Sequence, residues 1–425
     1  MKHEIRIENE KKYDVIVVGS GPSGIAAAVM AGRLGAKTLI VESCGRVGGI
    51  STAGMMSHFT GTVGNAIYAE VLNRADEKNR YKKKEKKWID PELLTLTYIE
   101  MLEEANVDIL LYTTFCEAIV KENCLTSILC HNKGGFTLLH ANAFVDATGD
   151  GDVAYRCGAA FVKGRESDGK MQPATLMFKI GGVDTERAVF PGSFETRVPT
   201  EKGELQALAS EHLPHPAGHV LLYPSTLPGI VTVNMTNVTE IDGTQAEDLT
   251  RAEIICRKQM PLIVEFLREY APGYENCYII GAASLIGIRE TRHFKGIKTL
   301  TSEDCSEARQ HEDAVVFGAH FDFDVHNISG AGLDKTGCQH GFKQTKGYTI
   351  PYGCLVPEKI DGLLLCGRNI SGTHMAHSNF RAMPICMGIG EAAGAAAALA
   401  AASGLQPRFL SAEAVREQML TANKK

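Results

Sequence analysis

The sequence has no apolar run of the ~18 residues that a membrane-spanning helix needs. Its alanine-rich tract, residues 392–402, is too short and follows a charged residue, Glu391. The opening segment, MKHEIRIENEKK, is charged throughout and does not have the pattern of a signal peptide. We therefore expect no membrane span and a cytoplasmic location.

Paired cysteine motifs are also missing. The chain has 12 cysteines, but none are spaced C-x-x-C, so neither a zinc knuckle nor an iron–sulfur cluster is indicated. In a chain with no export signal, we expect these thiols to be reduced and buried. The sequence predicts no metal site.

A strong net charge is missing as well. The formal charge of −6 gives no general attraction to nucleic acid or to an anionic membrane. No surface stretch combines basic and aromatic residues as RNA-binding proteins do. The basic run KKKEKK at residues 82–87 is more readily a solvated loop or helix face than a docking patch. We expect no nucleic-acid partner.

The composition that remains is that of a globular protein with a large core, because 44% of the residues are hydrophobic and 22% are charged. At 425 residues the chain is too long for one ordinary domain and suits two. No internal repeat or low-complexity segment is visible.

The most informative stretch is residues 13–49. A short β-branched run indicates a buried strand, and a G-x-G-x-x-G motif follows at Gly19, Gly21 and Gly24. Pro22 then opens a helix, and a second strand ends at Glu42. In this order, the glycines allow a tight turn and close approach of a pyrophosphate to a helix N-terminus, while the acid binds a ribose. The sequence therefore predicts a dinucleotide site.

The remaining chain is read as two units. We predict a three-stranded meander, a returning buried strand, a long amphipathic helix, a last buried strand and a closing helix, at residues 115–141, 143–147, 246–270, 363–366 and 384–403. Between the returning strand and the last strand, strand-like pieces alternate with turns and the long helix. This mixture predicts an inserted α+β substrate or cap domain at residues 161–345. Residues 1–160 and 346–425 then form one discontinuous α/β domain.

Three segments resemble the flavin motifs of the glutathione-reductase-like flavoproteins, namely Glu42 followed by Gly48-Gly49, FVDATGDGD and DGLLLCGRNISG. More broadly, GSGPSG, VGGIST, GIRETRHFKG and the long CGRNISGTHMAHSNFRAMPICMGIGEAAG stretch resemble FAD-dependent oxidoreductases related to fumarate reductase and aspartate oxidase flavoproteins. The resemblance covers nearly the whole chain, and its middle third is matched by architecture more than by residues.

This resemblance implies a Rossmann-type FAD-binding domain with a β-meander and FAD as cofactor. It implies FAD-binding roles for Gly19, Gly21, Pro22, Ser23, Gly24, Glu42, Ser43, Arg46, Gly48, Gly49, Ser51, Thr52, Cys116, Thr148, Gly149, Asp150, Gly367, Arg368, Met387, Gly388 and Gly390. The chain departs from many relatives at Arg368, where they carry an acid that binds the ribityl chain. It also has no second G-x-G-x-x-G in a strand–helix context, so no separate NAD(P)H domain is indicated.

Candidate catalytic residues lie in the segments expected to reach the flavin. His58, His374 and His377 are candidates for proton transfer, although any one of them could be a structural histidine. Arg292 and Arg381 are candidate clamps for a substrate carboxylate, but Arg289 and Arg292 could equally pair with Glu290 or pack against the second domain.

We therefore predict an FAD-dependent oxidoreductase that transfers a hydride between a small organic substrate and the flavin. The electron partner (oxygen, a quinone, a diffusing nicotinamide or a protein) and a homo-oligomeric state are left open. An alternative is a flavoprotein with structural or non-redox FAD, such as a hydratase, an isomerase or a complex subunit. An RNA-modifying flavoenzyme is a third hypothesis, which the net charge opposes.

Overall fold

The computed structural model describes residues 5–81, 87–333 and 346–424. Most of the basic run at 82–87 lies outside the described residues, so its interpretation stays a prediction. Helices in the described part are α1 Pro22–Arg33, α2 Ala66–Lys78, α3 Pro91–Glu104, α4 Asp152–Arg156, α5 Leu205–His212, α6 Ala246–Tyr270, α7 Ser302–Ser306, α8 His374–Phe380, α9 Met383–Ser403 and α10 Ala412–Ala422.

The strands there are β1 Ile7–Lys12, β2 Val15–Val18, β3 Thr38–Val41, β4 Asp108–Leu110, β5 Thr114–Lys121, β6 Cys124–Asn132, β7 Gly135–His140, β8 Ala143–Asp146, β9 Phe161–Lys163, β10 Phe178–Gly181, β11 Pro199–Thr200, β12 Gly203–Glu204, β13 Leu222–Pro224, β14 Val231–Val233, β15 Tyr278–Ala282, β16 Arg292–Phe294, β17 Ala314–Ala319, β18 Tyr348–Pro351 and β19 Leu363–Leu365.

A five-stranded parallel sheet in the order β19-β8-β2-β3-β4 forms the centre of the first core. Strands β2, β3, β8 and β19 are buried along their whole length, which is typical of a parallel sheet covered on both faces. Their continuous apolar runs are what the sequence predicted. The Rossmann-type α/β class is confirmed.

The meander β5-β6-β7 is antiparallel, as predicted. It has a fourth strand that the sequence did not reveal, because β1 pairs in parallel with β7. Strand β1 is exposed at every residue. It therefore has no apolar pattern from which a strand could be read.

Helix α9 packs across α1 at very short range. A Cβ atom built on Gly390 would lie 2.0 Å from the Ser23 carbonyl oxygen, and one on Gly394 would lie 2.1 Å from that of Ala27. Length and composition alone would let Met383–Ser403 cross a membrane, since its most apolar 18-residue window has a mean hydropathy of 1.6. However, 83% of that window is buried inside the protein, as in the core helix of a globular domain.

A second core consists of the sheet β13-β14-β10-β15, which is antiparallel, together with α5 and α6. Its buried apolar residues run from Ala174 to Ala283. The sequence placed the inserted domain at 161–345, but Phe294 and three residues of β17 (Val315, Val316 and Ala319) pack in the first core. The hydrophobic second unit is thus shorter than the predicted one at its C-terminal side.

Candidate active site

One large cavity, of about 1060 Å³, lies along both cores. On one side it is lined by the loops at the carboxyl ends of β2, β3, β8 and β19, where open α/β sheets bind ligands. On the other side it is lined by second-core residues, among them Tyr223, Asn234 and Arg289, and by Asp324 and Arg381. We call this second part the chamber.

The glycine loop has the geometry of a pyrophosphate cradle. Gly19 has φ +94°, and a Cβ atom on it would meet the Ala147 carbonyl oxygen at 2.4 Å. A Cβ atom on Gly24 would lie 2.0 Å from the Gly19 carbonyl oxygen. By contrast, a Cβ atom on Gly21 would meet no atom within 4 Å, and Gly21 lines the cavity at the N-terminus of α1. The missing side chain at Gly21 therefore keeps space free for a ligand rather than for the protein.

Glu42 follows β3 and lines the same cavity. Its Oε2 accepts hydrogen bonds from the Ser20 amide at 2.9 Å and from the Ser20 hydroxyl at 2.7 Å, and its Oε1 accepts one from the Cys44 amide at 2.9 Å. The carboxylate thus shapes the glycine loop and remains beside the space where a ribose would lie. A carboxylate has lone pairs for more than these donors.

Arg368 lines the cavity after β19, next to the loop that follows β8. Its Nη2 donates to Asp150 Oδ1 at 2.7 Å, and Asp150 also accepts from the Thr291 hydroxyl at 2.6 Å. The buried Nε of Arg368 has no hydrogen-bond partner among the described residues. An unsatisfied buried donor in a cavity suits an anionic ligand such as a diphosphate.

The predicted cofactor residues divide into two groups. Those that line the cavity are Gly19, Gly21, Pro22, Ser23, Glu42, Ser43, Gly49, Cys116, Thr148, Gly149, Asp150 and Arg368. The residues that do not line it are Gly24, Arg46, Gly48, Ser51, Thr52 and Gly367. The latter support the wall: the Ser51 hydroxyl donates to the Gly48 carbonyl, the Thr52 hydroxyl to the Val47 carbonyl, and Arg46 pairs with Glu92.

The N-terminus of α9 reaches the cavity, but through residues other than those expected. Ala382, Met383 and Cys386 line it, whereas Met387, Gly388 and Gly390 do not. Gly390 packs on α1, and a Cβ atom on Gly388 would lie 2.8 Å from Val63. The first turn of the helix therefore carries the positive end of the helix dipole to the cavity wall.

Arg292, a predicted substrate clamp, lines the cavity but is already engaged. Its Nη1 donates to the Asp150 carbonyl and to Asp152 Oδ1, both at 2.9 Å, and its guanidinium lies 4.2 Å from the centre of the Tyr155 ring. These contacts hold the side chain between β16 and α4. They favour a structural ion pair, but with Asp152 rather than with Glu290, the partner considered from the sequence.

Arg381, the other predicted clamp, lies in the chamber together with Arg289. Arg381 Nη2 donates to Asp324 Oδ2 at 2.9 Å and to the Asp324 carbonyl at 2.7 Å. Arg289 Nη1 donates to the Pro173 carbonyl at 2.6 Å. Burial and the Arg381 charge lower the pKa of Arg289 to about 10. Burial alone would raise the pKa of Asp324. The neighbouring His326, Arg381 and Arg289 outweigh this effect and hold the pKa of Asp324 well below its usual range.

Of the three predicted histidines, His58 lines the cavity, where its ring lies 4.6 Å from that of Tyr223 and 5.0 Å from that of Trp88. His326, which the sequence did not single out, also lines the chamber. Burial and the Arg289 charge lower the pKa of His326 to about 4, so its ring is neutral at pH 7. No motif marks His326 or Asp324, because only the fold brings them to Arg381.

His374 and His377 lie outside the cavity, on α8, and form a buried cluster with Glu290 and His293. Donor atoms of Glu290, His293 and His377 lie within 4.8 Å of one another, and such residues can hold a metal ion. However, Glu290 Oε1 lies 2.8 Å from His293 Nε2 and 2.5 Å from His374 Nδ1, which are hydrogen-bond distances. We interpret the cluster as a hydrogen-bonded link between β16 and α8.

The combination of a dinucleotide cradle and a polar chamber defines a nucleotide-dependent enzyme, and comparison with known proteins gives its family. The chain belongs to the family described as FAD dependent oxidoreductase, whose model matches residues 14–419. It is therefore an FAD-dependent oxidoreductase with FAD as its cofactor.

Solved structures of similar fold include a geranylgeranyl bacteriochlorophyll reductase-like protein from Thermoplasma acidophilum, at a TM-score of 0.50 and 13% identity over 98% of this chain and 83% of that one. Another is p-nitrophenol 4-monooxygenase from Pseudomonas putida DLL-E4. Its TM-score is 0.51 and its sequence identity is 12%, and the match covers 98% of this chain and 85% of that one. At this identity they show the fold alone. A thioredoxin reductase from Peptoclostridium litorale is 34% identical over 68 residues, which are 16% of this chain and 22% of that protein.

Proposed function

We propose that this enzyme transfers a hydride between FAD and a small organic substrate that binds in the chamber. The observation that carries the proposal is the continuity of the cavity, which joins the glycine loop to a set of titratable side chains from the second core and from residues 321–326. A ligand pocket with few convergent polar groups beside a cofactor site is the usual form of an active site.

The residues that would hold FAD are those of the first-core wall. Gly21 and the N-terminus of α1 would receive the diphosphate together with Arg368, and Glu42 would accept hydrogen bonds from the ribose. When bound, FAD supplies the hydride acceptor or donor. The N-terminus of α9 favours negative charge at its end of the cavity.

Proton transfer must accompany hydride transfer, and His58 is the predicted histidine that faces the cavity. Its Nδ1 lies 3.1 Å from the Ser57 hydroxyl, a contact that orients the ring. We propose His58 as the proton-transfer group.

We further propose that the two cores correspond to an FAD-binding domain and a substrate domain, so that the active site lies between them. A cytoplasmic location stays a prediction, and the electron partner is left open.

The proposed function is tested by anaerobic reduction of the purified, FAD-loaded protein with a panel of carboxylic acids, amino acids, sugars and NAD(P)H, with free FAD in the same buffer as control. We expect one class of compound to bleach the visible flavin absorbance of the protein but not of free FAD. If the oxidised protein resists the whole panel and the reduced protein is not reoxidised by any of the corresponding products, the alternative of a non-redox flavin role is favoured.

The role of His58 is tested with His58→Asn. Because loss of a positioned acid–base group usually costs about 10²–10⁴-fold in rate, we expect flavin reduction to slow by at least tenfold while FAD content is unchanged. The pH dependence of the rate should also flatten. His212→Asn, at an exposed histidine on α5, is the matched control. A rate in His58→Asn equal to that of the control would remove His58 from the mechanism.

A further inference from the structure

The chamber holds more positive than negative charge. Arg289 and Arg381 each contribute a positively charged guanidinium. The Asp324 carboxylate contributes one negative charge, which interacts electrostatically with both of them. His326 is neutral, as described above, and burial lowers the pKa of the neighbouring His219 to about 3, so its ring is also neutral at pH 7. The half-buried Arg289, Arg381 and Asp324 therefore sum to one excess positive charge.

Other carboxylates on the cavity wall do not remove this excess. Asp322 and Glu195 line the cavity but are exposed to solvent, where water screens their charge. Glu42 lies at the glycine loop, where it accepts hydrogen bonds from Ser20 and Cys44, and it is not part of the chamber. Asp150 and Asp152 are paired with Arg368 and Arg292. A partly desolvated charge without a counterion is costly, so this arrangement is best explained by a ligand that supplies the negative charge.

Hydrogen-bond donors are available where that ligand would bind. The buried Nε of Arg381 has no partner among the described residues. Arg289 has five N–H donors, and its side-chain hydrogen bond within the described part of the chain uses one of them, to the Pro173 carbonyl. Two planar forks with free donors next to a single Asp form an anion site, and neither Arg289 nor Asp324 belongs to the motifs that bind the nucleotide.

We propose that the substrate of this enzyme carries a carboxylate and that Arg289 and Arg381 bind it in the chamber, opposite Asp324. A carboxylate matches the single excess charge, and its two oxygens fit a guanidinium fork. A phosphate monoester would bring up to two charges and leave the chamber negative. The proposal rests on the proposed function for the position of the substrate, but its central claim is equilibrium binding of an anion.

The experiment measures binding without turnover, from the difference spectrum of the oxidised FAD-loaded protein titrated with pairs of compounds that differ only in charge. Suitable pairs are benzoate with benzamide and succinate with succinamide, and inorganic phosphate and sulfate form the third arm. Variants are Arg289→Gln, Arg381→Gln and Arg381→Lys, with Arg197→Gln, an exposed arginine of the second unit, as matched control.

We expect at least one carboxylate to bind at least tenfold more tightly than its amide. Arg289→Gln and Arg381→Gln should each weaken this binding at least tenfold at unchanged FAD content, Arg381→Lys should retain part of it, and Arg197→Gln should match the wild type. Equal binding of acid and amide, no binding of either acid, or wild-type affinity in both glutamine variants would overturn the proposal. Tighter binding of phosphate or sulfate with the same arginine dependence would overturn the carboxylate assignment.

These outcomes are separate from those of the proposed function. A protein that binds a carboxylate through both arginines but is reduced by no substrate contradicts hydride transfer and leaves the anion site intact. A protein that is reduced by a neutral compound and binds no carboxylate contradicts the anion site alone.

Discussion

Gly21 and Gly24 belong to one motif but have opposite surroundings. Gly21 has φ −62° and ψ 177°, which any residue can adopt, and a Cβ atom there would project into open space. We therefore expect Gly21→Ala to fold normally and to bind FAD at least tenfold more weakly, because the methyl group occupies the cradle. Isothermal titration of the apoprotein with FAD measures the affinity, and urea unfolding of the apoprotein measures the stability.

Gly24→Ala is the matched comparison. Its Cβ atom would overlap the Gly19 carbonyl oxygen, so we expect the free energy of unfolding of the apoprotein to fall by about 1–3 kcal/mol or more, since overpacking of this kind forces the backbone to shift. An apoprotein of Gly21→Ala that is as unstable as that of Gly24→Ala would contradict the assignment of Gly21 to the ligand.

The arginines show where prediction from the sequence reaches its limit at this scale. Arg289 and Arg292 are three residues apart, and nothing in their spacing says which side chain turns to the chamber. In the structure Arg292 pairs with Asp152, and Arg289 lines the chamber together with Asp324 and Arg381. The partners come from segments 140 and 35 residues away, so only the three-dimensional fold could decide between the two arginines.

At the scale of elements, the parallel sheet was predictable because each of its central strands is a continuous apolar run bounded by turns. Helix α6 was predicted at 246–270 and is observed at Ala246–Tyr270, because its amphipathic period is long and regular. Strand β1 was missed, since its six residues, IENEKK, are all exposed and carry no period-two pattern. Its only signal is its pairing with β7, which is a tertiary property.

The crossing of α1 and α9 gives a prediction at this scale. Gly394 lies against the Ala27 carbonyl oxygen, and a methyl group there would separate the helices. We expect Gly394→Ala to lower the free energy of unfolding, because an overlap costs about 1–3 kcal/mol or more and exceeds the gain of about 1 kcal/mol in helix propensity. Urea denaturation of the apoprotein followed by circular dichroism measures the change.

Ser403→Ala, at the exposed end of the same helix, is the control and should stay within about 0.5 kcal/mol of the wild type. If Gly394→Ala were instead more stable than the wild type, helix propensity would outweigh packing, and the close crossing would not be what requires glycine at this position.

For the whole molecule, the buried histidines make stability fall as the pH decreases from 7 to 6, whereas below pH 6 Asp146, whose pKa burial raises to about 6, acts in the opposite direction. Burial and its neighbours lower the pKa of His219 to about 3 and that of His326 to about 4, from 6.5, and burial holds the pKa of His377 well below 6.5. Between these values and 6.5 the unfolded chain binds protons that the folded chain does not. The folded state is therefore favoured above pH 6.5, and its stability falls as the pH decreases below 6.5.

We predict that the free energy of unfolding decreases between pH 7 and pH 6, with each such histidine contributing up to about 1.4 kcal/mol per pH unit, and that the decrease is less steep below pH 6, where Asp146 takes up a proton in the folded protein. Urea titrations of the FAD-loaded protein at pH 8, 7, 6 and 5 measure the slope. His219→Gln removes one titrating group. It should therefore reduce the slope of the free energy of unfolding against pH by up to about 1.4 kcal/mol per pH unit, whatever its effect on absolute stability. His212→Gln, at an exposed position, should keep the wild-type slope. A stability that is flat from pH 7 to pH 6 would contradict the neutral state of these rings in the folded protein, and the excess charge of the chamber would then be larger than one.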